Sequence, residues 1–503
     1  MDVLPVIGAW ALNSACRIFH TSSQPYIRQF CDHENPDIAA LKRRLSFDAV
    51  VYAAGTEAFV ASTERWSNIA KPNPQWIVVA ATEQDVAETV KYAVEIDVPF
   101  LAMSGRHGAM ASLESMQGGI GIRLDKLNSV GISADNSTAR IGGGGFTKDV
   151  TDALWRVNKQ TVTGTCECTG YIGPGLGGGH GWLQGRYGLI ADQWLSANIV
   201  LADGTLAVAE PDSDLWWALN GAGHNFGIIT SVVSKIYDVR HQQWAHTKLI
   251  FAGEDADKVY EAVNTHHLRG GSQPVDLISW SYMVNIPPLS EKPVIMMFIL
   301  QEGVSSIDTR YIDPFLELQP LNVVHESGTY GDLARWAQID MDGAPCRKSG
   351  AANIRHPIYL EAYNPAAVRK MYNRFAEVAH QDGPFEKSLV LLEGYSTQGV
   401  KAVPGESTAY AFRDDNLLIS PLIIYVPDGD KLDAEAAAAG QELRDIIYQG
   451  SGSDEMHAYV NYAYETEPPK NLYGTEDWRQ QRLLDLKNKY DPQRRFNFFG
   501  PIA

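Results

Sequence analysis

The feature that most constrains this chain is a segment of eighteen residues, Gly164 to Gly181, that contains eight glycines. Glycine at this density predicts neither a helix nor an ordinary strand, because it weakens both elements. Glycine is favoured where the backbone approaches another group closely or takes a positive φ, and the amides of such a loop can cradle an anion or a cofactor. A flexible surface loop is the alternative, but Ile172, Leu176 and Trp182 argue against it. The segment therefore predicts a cofactor cradle.

Two further glycine turns lie in the same half of the chain. The sequence Ser104-Gly-Arg106-His-Gly108 directly follows an apolar strand predicted over Pro99–Met103, and a Ser/Gly turn at a strand end is a natural phosphate site to which Arg106 adds charge. The sequence from Gly221 to Ser231 is a glycine turn that leads into a β-branched strand. Three such turns indicate one extended ligand that passes all of them.

One motif supports a different cofactor. Gly173-x-Gly175-x-x-Gly178, with Asp192 nineteen residues after its first glycine, matches the fingerprint of a dinucleotide-binding Rossmann unit. That unit requires a strand before the glycines and a helix opening at the last one. The residues before this match do not read as a strand, and the residues after it are rich in glycine. We keep an NAD-dependent enzyme as the alternative.

Composition excludes several classes of protein. The chain of 503 residues is long enough for two or three domains, and 42 Lys and Arg against 60 Asp and Glu give a formal charge of −18. This balance argues against a nucleic-acid partner and against an anionic membrane surface, and no apolar run is long enough to span a bilayer. Five cysteines do not make a disulfide scaffold, and Cys166-Glu-Cys168 is too closely spaced for a zinc hook, so no metal site is expected. A short apolar stretch at Val3–Leu12 leaves open whether the protein is cytoplasmic or enters the secretory pathway.

The hydrophobic pattern predicts an α+β organisation. From Trp76 to about 237, short strands alternate with helices at Glu83–Ile96 and Thr147–Val157, and Asp203-Gly204 reads as the turn of a hairpin. After about 237 the pattern changes to longer strands and helices. The predicted strands there are Thr247–Phe251, Val294–Leu300, Ser388–Leu392 and Asn416–Val426, and the predicted helices are Asp255–His267, Pro365–His380, Asp430–Tyr448 and Trp478–Tyr490.

Several of these motifs occur together in one known family. In chain order they are Ser-Gly-x-His107, Gly-x-Cys166-x-x-x-Gly170, Leu-Gly-Gly-Gly-His-Gly181-Trp, Tyr187-Gly-Leu-x-x-Asp192, Asn225-Phe-Gly-Ile-Ile-Thr, Tyr459-x-Asn461-Tyr462 and Tyr490-Asp-Pro-x-x-x-Phe496. The chain resembles the berberine bridge enzyme-like flavoproteins of the vanillyl-alcohol oxidase (PCMH-type FAD) superfamily, over residues 65–235 and 455–499. The resemblance implies an FAD-binding domain over 1–237 with its PCMH-type core at 65–237. It further implies a substrate domain over 238–455, an antiparallel sheet flanked by helices, and a tail over 456–503 that returns to the first domain.

The resemblance also implies how FAD is held. The family attaches the flavin twice, from a histidine to the 8α-methyl group and from a cysteine to C6, and the matching residues are His107 and Cys166. Cys168 does not fit the spacing and is interpreted as structural. Two departures affect the lining of the cofactor site: Arg106 stands where the family usually has glycine, and Ala463-Tyr464 replaces Arg-Asp after Asn-Tyr. The other expected cofactor-binding residues are Ser104, Gly105, Arg106, Gly108, Gly164, Gly170, Gly173, Gly177, Gly178, Gly179, Gly181, Tyr187, Gly227, Ile228, Ile229, Asn461 and Tyr462.

The reaction implied is oxidation of a small organic molecule, such as a secondary metabolite, by hydride transfer to the flavin. A side-chain base must accept the proton that leaves with the hydride, and the candidates are Tyr459, Glu393, Tyr395 and Tyr410. In the family the residue three positions after the linking cysteine controls oxygen access. Here it is Thr169, which is close to the valine of oxidases in shape, so O₂ is the expected electron acceptor.

Other functions stay open at this level. They are a redox-neutral cyclase or isomerase that uses the same flavin pocket, a carbohydrate or alcohol oxidase, and a carrier that binds a ligand without catalysis. The acidic composition suits a neutral or cationic substrate and does not identify one. Neither the substrate nor the oligomeric state follows from the sequence.

Overall fold

The computed structural model describes residues 36–464 and 467–502. The apolar stretch at Val3–Leu12 and the cysteines Cys16 and Cys31 lie outside the described residues. Among the helices that are described, none is long and apolar enough to cross a bilayer.

The first half of the described chain contains two sheets. A four-stranded sheet has the order β1-β2-β4-β3, in which β2, β4 and β3 are parallel, and a five-stranded antiparallel sheet has the order β5-β6-β10-β8-β9. Their strands are β1 (Val50–Ala53), β2 (Trp76–Val79), β3 (Phe100–Met103), β4 (Ile120–Arg123), β5 (Val130–Ile132), β6 (Thr138–Gly142), β8 (Trp194–Val200), β9 (Leu206–Ala209) and β10 (Ile228–Lys235). A two-stranded ribbon is formed by β7 (Lys159–Gln160) and β11 (Tyr237–Asp238).

The helices of this half are short, and most connect the strands. They are α1 (Pro36–Lys42), α2 (Glu57–Thr63), α3 (Glu83–Glu95), α4 (Thr147–Trp155), α5 (Ile172–Leu176), α6 (Gln184–Tyr187) and α7 (Asp214–Ala222). Helix α3 begins at a reciprocal capping box between Thr82 and Asp85, so the predicted start of this helix is confirmed. The hairpin predicted at Asp203-Gly204 is also confirmed, because β8 and β9 pair antiparallel across it.

The prediction that the glycine-rich segment contains no helix is wrong over α5. A single helical turn forms at Ile172–Leu176 because its glycines permit very close packing: a Cβ added to Gly175 would lie 2.3 Å from the ring of Trp194. Close approach to a neighbouring side chain therefore outweighs the low helix propensity of glycine there.

The second half is built on one large antiparallel sheet. The strand order is β15-β12-β14-β13-β18-β19-β16, and β17 also pairs with β19. The strands are β12 (Trp244–Ala252), β13 (Leu277–Val284), β14 (Val294–Glu302), β15 (Asn322–Gly328), β16 (Ala352–Arg355), β17 (Ile358–Leu360), β18 (Leu389–Gly394) and β19 (Leu417–Tyr425). The predicted strands at 247–251, 294–300, 388–392 and 416–426 are confirmed, whereas β13, β15, β16 and β17 had no predicted counterpart.

The helices that follow the first half are α8 (Ala256–Ala262), α9 (Thr309–Leu316), α10 (Leu333–Trp336), α11 (Pro365–Val378), α12 (Gln398–Lys401), α13 (Asp430–Ser451), α14 (Pro469–Tyr473) and α15 (Asp477–Tyr490). Helix α8 continues into a π-helical turn at Val263–Leu268, which together cover the predicted helix at 255–267. Side chains alternate along each strand of the large sheet. On β13, Leu277 and Met283 pack in the core under the helices, while Ile278 and Trp280 belong to the core shared with the first half.

The C-terminal tail is fixed to the first half by buried hydrogen bonds to Asn225, and one of their donors, Lys487, also forms an ion pair within the tail. The Nζ atom of Lys487 lies 2.7 Å from Asp491 Oδ2, and it also donates to the carbonyl oxygens of Asn225 (2.9 Å) and Phe496 (2.8 Å). The Asn225 side chain in turn donates to the Gly500 carbonyl oxygen. These contacts bring the tail motifs next to the glycine turns.

Candidate active site

A cavity of about 1370 Å³ lies where the glycine turns, the large sheet and the tail meet. Many of the residues predicted to bind cofactor or substrate line it: Ser104, Gly105, Arg106, His107, Gly108, Gly164, Cys166, Thr169, Gly170, Gly173, Gly227, Ile228, Ile229, Tyr395, Tyr459, Asn461 and Tyr462. The structure thus brings together three glycine turns that are far apart in sequence, as expected for one extended ligand.

Seven residues of the predicted set do not line the cavity: Gly177, Gly178, Gly179, Gly181, Tyr187, Glu393 and Tyr410. The glycines of this group serve close packing instead, since a Cβ on Gly179, whose φ is +85°, would lie 2.7 Å from the side chain of Ile190. Tyr187 stacks on Tyr237 with ring centroids 3.9 Å apart. In contrast, His180 from the same glycine-rich motif does line the cavity, although it was not among the predicted residues.

The turn Ser104–Gly108 carries two buried polar atoms without a hydrogen-bond partner in the described chain, although Arg106 Nη1 lies 3.9 Å from Asp125 Oδ2. Among the described residues, neither Ser104 Oγ nor Arg106 Nη1 has a hydrogen-bond partner, and both atoms are buried. Arg106 has φ +59°, a left-handed conformation that explains why glycine is usual at this position, and its Nε atom donates to the Glu64 carbonyl oxygen at 2.8 Å. A hydroxyl and a guanidinium group in this arrangement suit a phosphate group.

Gly173 provides the second sign of a cofactor cradle. It lines the cavity, and a Cβ placed on it would meet no atom within 4 Å, so the space in front of its backbone is open. Open space beside one glycine turn, and donors without hydrogen-bond partners among the described residues at another, fit an elongated ligand that carries a diphosphate. The residues present therefore fit FAD.

His107 and Cys166, the predicted attachment residues, lie at one end of the cavity. Both contact the same atom: Cys168 Sγ is 3.4 Å from His107 Nε2 and 3.6 Å from Cys166 Sγ. Burial, with a smaller effect of Arg355, lowers the pKa of His107 to about 3, so its imidazole is neutral. Cys166 is a free thiol whose pKa burial raises to about 11, whereas Cys168 forms a disulfide with Cys346. The neutral imidazole and the free thiol are the two nucleophiles available at this end.

A buried carboxyl group lies directly behind the part of the cavity wall that Tyr395 and Tyr462 form. Glu393 on β18 is fully buried and accepts hydrogen bonds from the hydroxyl groups of Tyr395 (2.9 Å) and Tyr462 (3.0 Å). Burial raises the pKa of Glu393 to about 7, although Arg355 and the two tyrosines oppose the shift. Both tyrosines line the cavity, so Glu393 reaches it only through their hydroxyl groups.

A second polar cluster centres on His180. Its Nε2 atom is 2.7 Å from the Tyr359 hydroxyl, which also accepts a hydrogen bond from Tyr410 at 2.9 Å. Its Nδ1 atom is 2.9 Å from Gln184 Oε1, and burial lowers the pKa of His180 to about 4. The hydroxyl of Tyr410 also lies 3.4 Å from His180 Nε2, and Tyr410 does not line the cavity.

Tyr459 is placed differently from the other tyrosines. Its hydroxyl oxygen accepts from Asn461 Nδ2 at 2.8 Å and from the backbone amide of His180 at 3.4 Å, while burial raises its pKa to about 12. Both acceptor positions of the oxygen are therefore occupied, and the hydroxyl proton is free to be donated into the cavity. This arrangement suits a hydrogen-bond donor better than a base.

The charge of the cavity wall differs from that of the chain as a whole. The basic residues Arg65, Arg106, Arg347, Arg355 and Lys387 line it, against the acidic residues Glu386 and Asp428. The guanidinium group of Arg355 stacks on the ring of Tyr462 at 4.0 Å and on that of Trp66 at 4.9 Å. The acidic composition of the chain is therefore a poor guide to the charge that this cavity accepts.

Sequence reasoning overlooked Arg355, Tyr359 and His180. His180 stood inside a motif that had already been quoted, and a polar residue within a glycine cradle was the signal that could have found it. Arg355 and Tyr359 lie on short strands without a recognisable motif. Their position depends on the pairing of β16 and β17 with β19, which the sequence pattern does not give.

Comparison with known proteins places this site in a family. Residues 74–210 match the model of an FAD binding domain, and residues 458–502 match the family model described as berberine and berberine like. The chain is 49% identical to the FAD-linked oxidoreductase chyH of Penicillium rubens over 100% of both chains, and 49% identical to the FAD-linked oxidoreductase chry5 of Gibberella zeae over 93% of this chain and 95% of that one.

Solved structures show the same fold. The BBE-like 1 protein of Physcomitrella patens matches with a TM-score of 0.78 at 21% identity, over 93% of this chain and 99% of the other. The two family models match the part of the chain that carries the glycine cradle and the tail, respectively. The relatives that match over the full length and the shared fold agree with this assignment. The chain therefore belongs to the berberine bridge enzyme-like family of FAD-linked oxidoreductases, with a PCMH-type FAD-binding fold.

Proposed function

We propose that this protein is an FAD-dependent oxidase of a small organic substrate and that His107 and Cys166 both hold the flavin covalently. The observation that carries the proposal is the arrangement of the cavity. The nucleophilic side chains of His107 and Cys166 line the same cavity as two tyrosines, Tyr395 and Tyr462, that donate hydrogen bonds to a buried carboxylate. FAD bound there supplies the acceptor for a hydride from the substrate.

The tyrosine–glutamate set provides the path for the proton. Tyr395 and Tyr462 each donate their hydroxyl hydrogen to Glu393, which leaves the lone pairs of their oxygens free to accept from a substrate in the cavity. A tyrosine that accepts the substrate proton can pass its own proton to the Glu393 carboxylate in the same step. A pKa of about 7 lets that carboxylate accept a proton near neutral pH and release it again.

The other polar groups of the wall orient the substrate. Tyr459 offers its hydroxyl proton to a substrate oxygen or nitrogen, and Tyr410 holds His180 through Tyr359. Trp280, Tyr282 and Leu391 make the sheet side of the cavity aromatic and apolar, which suits a flat, hydrophobic substrate. Arg355 favours a substrate that also carries a negative or strongly polar group.

Oxygen is the proposed electron acceptor. Thr169 lines the cavity three residues after Cys166, and its hydroxyl donates to the Cys166 carbonyl oxygen at 2.9 Å. Because this bond occupies the hydroxyl hydrogen, the side chain resembles valine in size and in its remaining surface.

The experiment is anaerobic mixing of purified enzyme with candidate substrates while the visible spectrum is recorded. An oxidised substrate bleaches the flavin, and admission of air restores the colour with formation of H₂O₂. The variants Tyr395→Phe and Tyr462→Phe should keep the flavin, and at least one of them should reduce it ten or more times more slowly. Tyr237→Phe is the matched control, since it loses a phenol hydrogen bond (to Gln193, 2.8 Å) outside the cavity.

Two results would overturn the proposal. Turnover of a substrate without bleaching or oxygen uptake would show a redox-neutral cyclase or isomerase instead. Loss of all yellow colour from the wild-type polypeptide on acid denaturation would refute covalent attachment.

A further inference from the structure

Three cysteines of the described chain meet at the attachment end of the cavity. Cys168 and Cys346 form a disulfide, and the free thiol of Cys166 has its Sγ atom 3.6 Å from Cys168 Sγ and 3.8 Å from Cys346 Sγ. We call these three residues the sulfur triad. The motif carries two cysteines where flavin attachment uses one, so Cys168 and Cys346 are left without a role in the proposed function.

The segment that carries Cys346 is held against the loop of Cys166 by more than the disulfide. The backbone amide of Glu167 donates to the Ile339 carbonyl oxygen at 3.1 Å, and the Glu167 carboxylate accepts from the amide of Met341 at 2.9 Å. Ala344 and Pro345, which precede Cys346, line the cavity. Contact among the three sulfur atoms is therefore supported by the surrounding backbone on both sides.

Three sulfur atoms in contact can form a disulfide in three ways, and only the Cys168–Cys346 pair leaves Cys166 free. Exchange among the pairings is chemically balanced. The Cys166 thiolate attacks Sγ of Cys346, the Cys166–Cys346 bond forms as the Cys168–Cys346 bond breaks, and the departing Cys168 thiolate takes up the proton that Cys166 released. No external oxidant or reductant is consumed. Attack on Cys168 Sγ gives the Cys166–Cys168 pair in the same way.

We propose that Cys168 and Cys346 act as a guarding pair, whose disulfide keeps Cys166 as the free thiol that attaches the flavin. This inference rests on the proposed function, because it presumes a covalent link at Cys166. Cys168 and Cys346 are positioning residues in this scheme, since neither is itself joined to the cofactor. Without Cys346, the nearest partner left to Cys168 is Cys166.

The surroundings of the triad resist exchange once the correct pair has formed. Burial raises the pKa of the Cys166 thiol to about 11, although a backbone hydrogen bond from Cys168 and the charge of Arg355 oppose the shift. The thiolate needed for attack is therefore scarce at neutral pH. His107, next to Cys168, is held neutral by burial, so it offers no positive charge to a departing Cys168 thiolate.

The test is Cys346→Ser, with the double variant Cys168→Ser/Cys346→Ser as the rescue. Each protein is equilibrated in a buffer of reduced and oxidised glutathione, which supplies or accepts two electrons when a pair of thiols is joined or separated. Free thiols are then alkylated, and digested peptides are assigned by mass. For the single variant we expect a Cys166–Cys168 disulfide and at least a tenfold fall in the fraction of Cys166 peptide that carries flavin. The double variant should restore that fraction, because Cys166 no longer has a neighbouring thiol.

Flavin-free protein, produced under riboflavin limitation, separates this inference from the proposed function. In that protein we expect alkylated Cys166 with the Cys168–Cys346 pair in the wild type, and the Cys166–Cys168 pair in Cys346→Ser. The guarding role would be overturned by a single variant whose Cys166 is flavinylated as in the wild-type holoenzyme and is still a free thiol in the flavin-free protein. A double variant that does not recover would overturn it as well. Wild-type holoenzyme without flavin on Cys166 would refute the attachment itself, while the flavin-free map would still decide the pairing.

Discussion

Replacing Glu393 by glutamine should make the stability of the protein less sensitive to pH. Glu393 is fully buried, and burial raises its pKa from 4.5 to about 7 in the folded protein. A carboxyl group whose folded pKa exceeds its unfolded pKa contributes stability that is fully present below the unfolded value. That stability is lost as the pH rises through the folded value. For Glu393 the window is pH 4.5 to 7, and above it the folded state bears the cost of a buried charge.

The size of the effect follows from the shift. At about 1.4 kcal/mol for each unit of pKa, the rise from 4.5 to about 7 lowers the free energy of unfolding of the wild type by about 3 kcal/mol at high pH. Most of this stability is lost between pH 5 and pH 8. Glutamine has the shape of the protonated acid and does not ionise. The two proteins should therefore have similar stability at pH 5, and the glutamine variant should be the more stable by about 2 to 3 kcal/mol at pH 8.

Thermal unfolding of both flavin-loaded proteins at matched pH values measures this difference. Because all other titratable groups are common to the pair, their contributions cancel in the difference between the two melting temperatures. We expect that difference to grow by roughly 5 °C or more from pH 5 to pH 8, given about 2 to 4 °C for each kcal/mol in a domain of some 200 residues. A difference that stays constant with pH, or a wild type that gains on the variant at high pH, would show that Glu393 is not a buried acid of raised pKa.

Three more predictions concern the cradle, the oxygen gate and the tail. Gly173→Val should fill the open space in front of the cradle and lower the flavin-to-protein absorbance ratio at least fivefold. Gly131→Val is the control, because Gly131 also has open space around it but lies outside the cavity, and its ratio should not change. Equal ratios for the two variants would contradict the cradle. Thr169→Leu should slow the reoxidation of photoreduced enzyme by aerated buffer, measured by stopped-flow absorbance, and an unchanged rate would remove Thr169 as the gate. Lys487→Met should leave the buried Asp491 carboxylate without its ion-pair partner and lower the free energy of unfolding, measured by urea titration, by about 3 to 5 kcal/mol. A loss below about 1 kcal/mol would refute a structural role for the pair.

The parts of the fold that the sequence predicted are those determined by local signals. The capping box at Thr82 and the turn at Asp203-Gly204 act within a few residues, and the helix start and the hairpin that they determine are present as predicted. Strand β13 was not predicted because it is buried on both faces, and Ser279 and Ser281 interrupt its apolar run. Ser281 is accommodated by the Tyr260 hydroxyl at 2.8 Å, a contact that depends on the packing of α8 on the sheet.

The residues of the site also fall into those that a local motif predicts and those that depend on distant contacts. The glycine turns, His107 and Cys166 were recognisable because each lies in a compact motif, and the structure brings them to one cavity. The surroundings of Glu393 were not predictable, because its partner Tyr462 is 69 residues away in the chain and reaches it only through the return of the tail. The contact between Cys168 and Cys346 spans 178 residues and had no local signal at all.

The return of the tail has a consequence for biosynthesis. Tyr459, Asn461, Tyr462 and Phe496 line the cavity, and all of them are synthesised more than two hundred residues after the glycine turns. At ordinary rates of elongation, about 5 to 20 residues per second, the glycine turns are exposed in the cell for some tens of seconds before this wall exists. During that interval the nascent chain presents only part of the cavity wall, and we expect stable capture of the cofactor to follow synthesis of the tail. Truncations near the C-terminus should accordingly yield colourless protein even when every residue of the glycine turns is intact.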